Sequence, residues 1–324
     1  MTAFLASGGE CVQFESALPW VMELIEEGAA GELRPTRSSI ASMHVQVEAA
    51  HQAFDIDGWE PLTRGAWRRD REVVIENVCT SGFDLHFWYT VDHADLTFRW
   101  RPPNRERAAS RVLRSRFHLI ARAVLMQYPV LWWAGTRGRV PLHASACATG
   151  HSRPLITAPS GVGRSTLLLG ELGDGACTTG DNLAVADGES VWGLVEPVRV
   201  EGGSGRRMPH GRNEVALRQR MDALAPDCVV VLTRGRREHS SLAPCAADVA
   251  ARSLVTSTYM AGELRRYWSF AATLSAATGL GDAHPPITDV ASTFTSSLPC
   301  FSLALGETSR PRLSELLDAV EVAA

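Results

Sequence analysis

The stretch with the strongest chemical content is Ala158-Pro159-Ser160-Gly161-Val162-Gly163-Arg164-Ser165-Thr166, preceded by the apolar Leu155-Ile156-Thr157 and followed by Leu167-Leu168-Leu169. Read as strand, small-residue turn and helix, it approximates the pattern G-x-x-x-x-G-K-[ST]. In that pattern glycines let successive backbone N–H groups converge on phosphate oxygens at a helix N-terminus, a lysine reaches the outer phosphates, and a hydroxyl binds Mg²⁺. The cradle would then be Ser160, Gly161, Val162, Gly163, Arg164, Ser165 and Thr166, with Ser165 as a metal ligand. Ala158 stands in place of the first glycine and Arg164 in place of the lysine. All 32 basic residues of the chain are arginine, so Arg164 reads as a chain-wide substitution habit, a charge that lysine would supply equally well. The competing reading is an ordinary glycine-containing turn before a helix.

Around the loop the chain reads Pro141-Leu142-His143-Ala144-Ser145-Ala146 and, after it, Gly180-Asp181-Asn182. This order and spacing resemble the HPr kinase/phosphorylase superfamily and the HPr-kinase-like proteins of some peptide-modification gene clusters, in which a Leu-His strand precedes the P-loop and an Asp-Asp pair follows its helix. The resemblance covers residues 140 to 202, more loosely extends to Leu305, and leaves residues 1 to 100 without a match. It implies a P-loop-containing α/β core that binds ATP or another nucleoside triphosphate with Mg²⁺. It also implies phosphoryl transfer to a serine or threonine hydroxyl of a protein or peptide. Carried over by position, the catalytic residues would be Asp181 as base, His143 as its partner tuning pKa and orientation, and Arg164 neutralising phosphate charge. Ser165 and Asn182 would hold the metal, Asn182 standing where the second aspartate is expected. Three functions stay open: a protein or peptide kinase, a catalytically degenerate nucleotide-binding module, and a small-molecule kinase on the same scaffold.

The elements that must position these residues follow from composition and periodicity. With 324 residues, 45% of them hydrophobic, the chain can form one large or two ordinary domains with their own cores. The organisation expected is an N-terminal α+β domain over 1–128 and a nucleotide-binding domain over 129–324. A formal net charge of −4 gives no general basis for nucleic-acid binding. Seven widely spaced cysteines without a C-x-x-C pair argue against a zinc site or disulfide framework and for reduced thiols in a cytoplasmic protein. No leader-like or membrane-length apolar run is seen. Oligomeric state is left open, a homo-oligomer being compatible.

In the first half, Leu18, Val21, Leu24 and Ile25 predict a short helix ended by Gly28 and Gly31, and Met43, Val45 and Val47 begin a strand pattern. Alternation of Phe83, Leu85, Phe87, Tyr89 and then Leu96, Phe98, Trp100 predicts a hairpin, with His86 and His93 on its solvated side and the tryptophans in packing roles. Residues 105 to 127 predict one amphipathic helix with the stripe Leu113, Phe117, Ile120, Val124. Its arginine-rich face suits solvent, or else phosphate or an acidic peptide.

In the second half, strands are expected at Val140–Ala146, Leu155–Thr157, Leu183–Val185, Val191–Val195, Val198–Val200, Cys228–Thr233 and Phe301–Leu303. Helices are expected at Ser165–Leu172, Glu214–Leu224, Ala246–Leu254, Met260–Ala277 and Leu313–Val320. Segment 201 to 213, carrying Arg206, Arg207 and Arg212, reads as a mobile phosphate-facing loop, and 288 to 297 as a Ser/Thr-rich surface segment.

Overall fold

The computed structural model describes residues 2–36, 40–202, 206–208, 211–235, 238–307 and 312–323. They form a mixed α/β protein whose chain divides into two compact units, Met1–Gly138 with Arg207–Gly211 and Arg266–Pro285, and Arg139–Arg206 with Arg212–Arg265 and Pro286–Ala324.

In the first unit, β1 (Thr2–Ser7) and β2 (Glu10–Ser16) make an antiparallel hairpin. Gly8 and Gly9 turn it, both at positive φ as tight hairpin turns require. Helix α1 (Pro19–Ala29) begins with proline where a helix has no use for its N–H, and it forms the crossover to β3 (Met43–Ala49), which runs parallel to β2. Then come β4 (Glu60–Thr63), β5 (Ala66–Arg69), β6 (Glu72–Ile75), β7 (Phe83–Tyr89) and β8 (Ala94–Trp100). They complete an eight-stranded sheet in the order β1-β2-β3-β8-β7-β6-β5-β4.

The predicted hairpin is β7 against β8, Phe83 opposite Trp100 and Phe87 opposite Leu96. Phe83, Leu85, Phe87, Leu96 and Phe98 are buried, as are Val21, Leu24 and Ile25 of α1. Each such side chain contributes about 1.5–3 kcal/mol of transfer free energy.

The expected single helix over 105 to 127 is instead α2 (Asn104–Val112), α3 (Arg114–Arg122) and a π-helical turn, Ala123–Gln127, leading into α4 (Tyr128–Gly135). Leu113 leaves the helical region at φ −111°, ψ 46°, and points to solvent rather than joining the stripe. Pro129 has no N–H to return to residue 125, which accounts for the widened turn just before it. A later helix, Tyr267–Thr278, belongs to this unit, held by Trp132 Nε1 donating to Ser275 Oγ at 3.2 Å and the Tyr89 hydroxyl donating to Thr278 O at 3.0 Å.

The second unit opens with two short strands. The strand expected over Val140–Ala146 is two, β9 (Val140–Leu142) and β10 (Ala144–Ala148), which enter different sheets and part at His143. There follow β11 (Pro154–Thr157), α5 (Arg164–Gly173), β12 (Cys177–Thr178), β13 (Ala184–Ala186), β14 (Val191–Gly193), β15 (Val198–Glu201), β16 (Arg206–Arg207), β17 (Arg212–Val215), β18 (Cys228–Arg234), β19 (Ser241–Pro244) and α6 (Ala247–Met260). After α7, the helix Tyr267–Thr278, come α8 (Ile287–Ser297), β20 (Cys300–Leu305) and α9 (Leu313–Ala323).

The main sheet runs β12-β10-β11-β18-β20-β19, with β11, β18 and β20 parallel. Val229 to Leu232 of β18 are buried without alternation, as a strand covered on both faces must be. A second sheet is β14-β13-β9, and β15 pairs antiparallel with β17.

Two further expectations fail. Glu214–Leu224 is not helical: β17 ends at Val215, and Arg220 and Leu224 make isolated bridges to Thr178 and Val191. Residues 288 to 297 are helical, α8 burying Ile287, Val290, Ala291 and Phe294. Of the proposed mobile loop, 203–205 and 209–210 lie outside the described residues, while Arg212 is an exposed residue of β17. Among the described residues no helix is long and apolar enough to cross a membrane.

Candidate functional site

Strand β11 ends at Thr157, whose Oγ1 lies 2.8 Å from Ser257 Oγ of α6, and the chain then turns through 158–163 into α5. Ala158 is buried and lies outside the residues with positive φ, so the missing first glycine removes no conformation the loop uses. The two retained glycines are required: Gly161 has φ 84° and Gly163 φ 123°. Gly163 is the N-cap of α5, and no side chain caps the helix. The first N–H groups of α5, on Arg164, Ser165 and Thr166, have no partner within the helix and face a turn whose tip, Ser160 and Gly161, is exposed. The helix is anchored at its other end by Glu171, whose carboxylate takes Thr149 Oγ1 and Leu313 N, both at 2.5 Å.

Arg164 does not reach toward this turn. Its side chain folds inward, only 7% of the residue being exposed. There Nη1 donates to His143 O at 3.0 Å and Nη2 donates to Asn182 Oδ1 at 2.8 Å. His143 Nε2 stands 2.9 Å from the same Asn182 oxygen. In the neutral Nε2–H tautomer, imidazole and guanidinium use the two lone pairs of one amide oxygen and Nδ1 faces Arg164 Nη1 at 3.5 Å, while Nε2 also lies 3.1 Å from Arg164 Nη2 and the buried Arg164 Nε has no partner. Burial, followed by the adjacent Arg164 charge, pushes His143 down to about 4. His143 N donates to Thr258 Oγ1 of α6 at 3.0 Å, the bond taken where β9 parts from β10. Burial likewise pulls Arg164 below its ordinary value, against the attraction of Asp181, Glu196 and Glu263.

Asp181 turns the other way. Its Oδ2 accepts the Ser165 hydroxyl at 2.7 Å, its backbone carbonyl accepts the Ser145 hydroxyl, and its buried Oδ1 has no hydrogen-bond partner. Burial raises its pKa against the opposing pull of Arg164 and the Ser165 hydrogen bond.

The expected pairing of His143 with Asp181 is therefore corrected. The two consecutive side chains of Asp181 and Asn182 diverge, and the histidine meets the amide. Asn182, assigned to the metal by position, turns its Oδ1 to His143 Nε2 and Arg164 Nη2. Ser165 keeps its lone pairs free while donating to Asp181.

Reasoning from sequence missed the groups that complete this environment: Ser257 and Thr258 from α6, Glu196, which accepts Leu183 N at 3.0 Å, and Arg199, which donates to Glu263 at 2.9 Å. Burial pushes Glu196 up to about 7. Burial is the largest influence on Glu263 and would raise it as well, but Arg199, a backbone hydrogen bond and His143 together outweigh it and hold that carboxyl low. No local motif marks these residues, which converge from separate segments.

Among the described residues no group of three or more His, Cys, Asp or Glu side chains is arranged to hold a metal. Mg²⁺ asks less of a protein, one or two carboxylates with water and substrate phosphates making up the rest. Ser165 Oγ, with the Asp181 carboxylate behind it, fits that requirement. The chain matches no protein-family model and no curated protein.

Proposed function

We propose that the second unit is an HPr-kinase-like P-loop module that binds ATP or another nucleoside triphosphate with Mg²⁺ and transfers phosphate to a hydroxyl of a protein or peptide. One observation carries the reading. The uncapped N-terminus of α5, entered through two positive-φ glycines, sits beside a buried carboxylate oxygen without a partner. Amides there suit phosphate oxygens, and the carboxylate suits a cation or a proton. Mg²⁺ and the nucleotide would supply the transferable phosphoryl group and neutralise its charge. The chain's own part is to hold the phosphates on the α5 amides, orient Asp181 through Ser165 Oγ, and accept the acceptor's hydroxyl proton at Asp181 Oδ1.

A second reading, nucleotide binding without transfer, draws on Arg164. The cation expected at the outer phosphates is committed to His143 and Asn182 instead. Incubation with γ-labelled ATP, Mg²⁺ and serine-containing peptides separates the two. Labelled peptide supports transfer, saturable nucleotide binding without label supports the second reading, and absence of nucleotide binding removes both.

A further inference from the structure

The segment from Asn104 to Arg116 concentrates charge that the molecule leaves unanswered. Arg105, Arg107, Arg111, Arg114 and Arg116 are all exposed, and Glu106 is the segment's only acid. Glu106 is three or four positions from none of them, so helical geometry gives it no arginine partner. Arg107 and Arg111, four apart, share a face of α2 and repel one another.

Among the described residues none of the five arginines is in an ion pair. Arg107 Nη2 donates to Pro102 O at 3.3 Å. Elsewhere arginines do find carboxylates: Arg99 with Glu48 at 2.6 Å, Arg101 with Asp84 at 2.8 Å, Arg199 with Glu263 at 2.9 Å. Helix α2 buries no residue, and at its break Val112 is 80% and Leu113 47% exposed. In a chain of net charge −4, this is a local excess of positive charge around two apolar side chains held in water.

We infer that this surface docks an acidic, partly apolar segment of a partner protein. Guanidinium forks match carboxylates with paired hydrogen bonds, and apolar residues between the acids would cover Val112 and Leu113. Single-stranded nucleic acid also offers anions, but residues 104–116 contain no aromatic side chain on which a base could stack. A membrane-surface helix needs a broad apolar face, and α2 has Val112 alone among large apolar residues. The inference does not depend on the loop binding nucleotide.

The test is fluorescence anisotropy of a short fluorescein-labelled peptide of glutamates interrupted by two leucines, with the glutamine version as control. Labelled single-stranded RNA and phosphatidylglycerol vesicles are run alongside. The intact chain should bind the glutamate peptide saturably and more weakly as salt rises. The triple variant Arg107→Glu, Arg111→Glu, Arg114→Glu should lose at least about tenfold in affinity. The corresponding Arg→Gln triple, which adds no negative charge, should show the same loss of direction with an unchanged melting curve. Val112→Ser with Leu113→Ser should weaken binding while keeping its salt dependence. Failure of the intact chain to bind the glutamate peptide, undiminished binding by both triples, or tighter binding to RNA or vesicles than to the peptide would each overturn the inference.

Discussion

At the scale of the residue, Arg164 faces the inner cluster and not the loop. Chain-wide arginine usage suggests that lysine would serve there equally well, but the structure uses the fork: one guanidinium spans His143 O and Asn182 Oδ1. A lysine ammonium has no planar pair of donors to reproduce that span. Arg164→Lys should therefore cost stability, about 1–3 kcal/mol for a buried acceptor left without its donor. Urea unfolding at neutral pH checks this, and a variant as stable as the parent would show the fork to be idle.

Asp181→Asn should leave nucleotide affinity within a few-fold while lowering transfer by roughly 10²–10⁴-fold if the carboxylate is the base. Loss of Mg²⁺-dependent binding instead would make Asp181 a metal ligand.

The histidine predicts a pH signature. His143 is held near 4 against an ordinary 6.5, so its neutral form is accommodated at high pH, and the unfolded chain takes up the proton first as pH falls. Its contribution is fully present above about 6.5 and is lost progressively down to about 4. Glu196, raised from 4.5 to about 7, works in the opposite sense, its contribution being present below about 4.5 and lost as pH rises through 7. His143→Gln should flatten the acid limb of stability between about 6.5 and 4, and Glu196→Gln the limb between about 4.5 and 7, in urea titrations across pH.

Type and spacing single out His143, Arg164, Ser165, Asp181 and Asn182, but neither their pairing nor the arrival of Ser257, Thr258, Glu196 and Arg199 from separate segments was legible. Which of Asp181 and Asn182 faces His143 is set by one backbone bend, which no residue spacing encodes.

At the scale of the element, legibility follows how far local pattern and tertiary pairing agree. Strand β18 and the β7–β8 hairpin are readable because burial on one or both faces imposes their apolar pattern directly. Helix α8 carries apolar residues at Ile287, Val290, Ala291 and Phe294, a full helical stripe concealed by its serines and threonines. The reverse holds for 214–224, where Gln219 takes φ 55° and flanking residues bridge to other strands, overriding a helix-forming composition. In the same way, His143 divides what reads as one strand, because β9 and β10 are claimed by different sheets.

The loop is the element whose geometry can be tested most simply. Gly163 at φ 123° admits other residues only with strain, and a Cβ there would stand 3.1 Å from Leu305 Cδ1. Gly163→Ala should lower stability by about 1–3 kcal/mol. It should weaken nucleotide binding beyond what the stability loss explains, as comparison of melting and titration calorimetry would show.

At the scale of the whole molecule, the sequence conveys two halves of different character, and the structure divides the chain into two units while returning 266–285 to the first. That return was not legible, because α7 follows α6 in the chain with nothing in its composition to mark a different neighbour. Eight of the nine tryptophans fall in the first unit and Trp192 alone in the second, so fluorescence reports chiefly on the unit without the loop.

Calorimetry, which sees both units, is the direct test of the central claim that the 160–166 loop holds nucleotide phosphates. Mg²⁺ with ATP, at about a hundred times its dissociation constant, should stabilise the unit containing the loop by about 2.7 kcal/mol and raise its transition temperature. Gly163→Asp, which places a carboxylate among the amides, should melt without any nucleotide-dependent shift. A parent chain that Mg²⁺ and ATP leave unmoved, or a Gly163→Asp variant that shifts as far as the parent, would contradict the account.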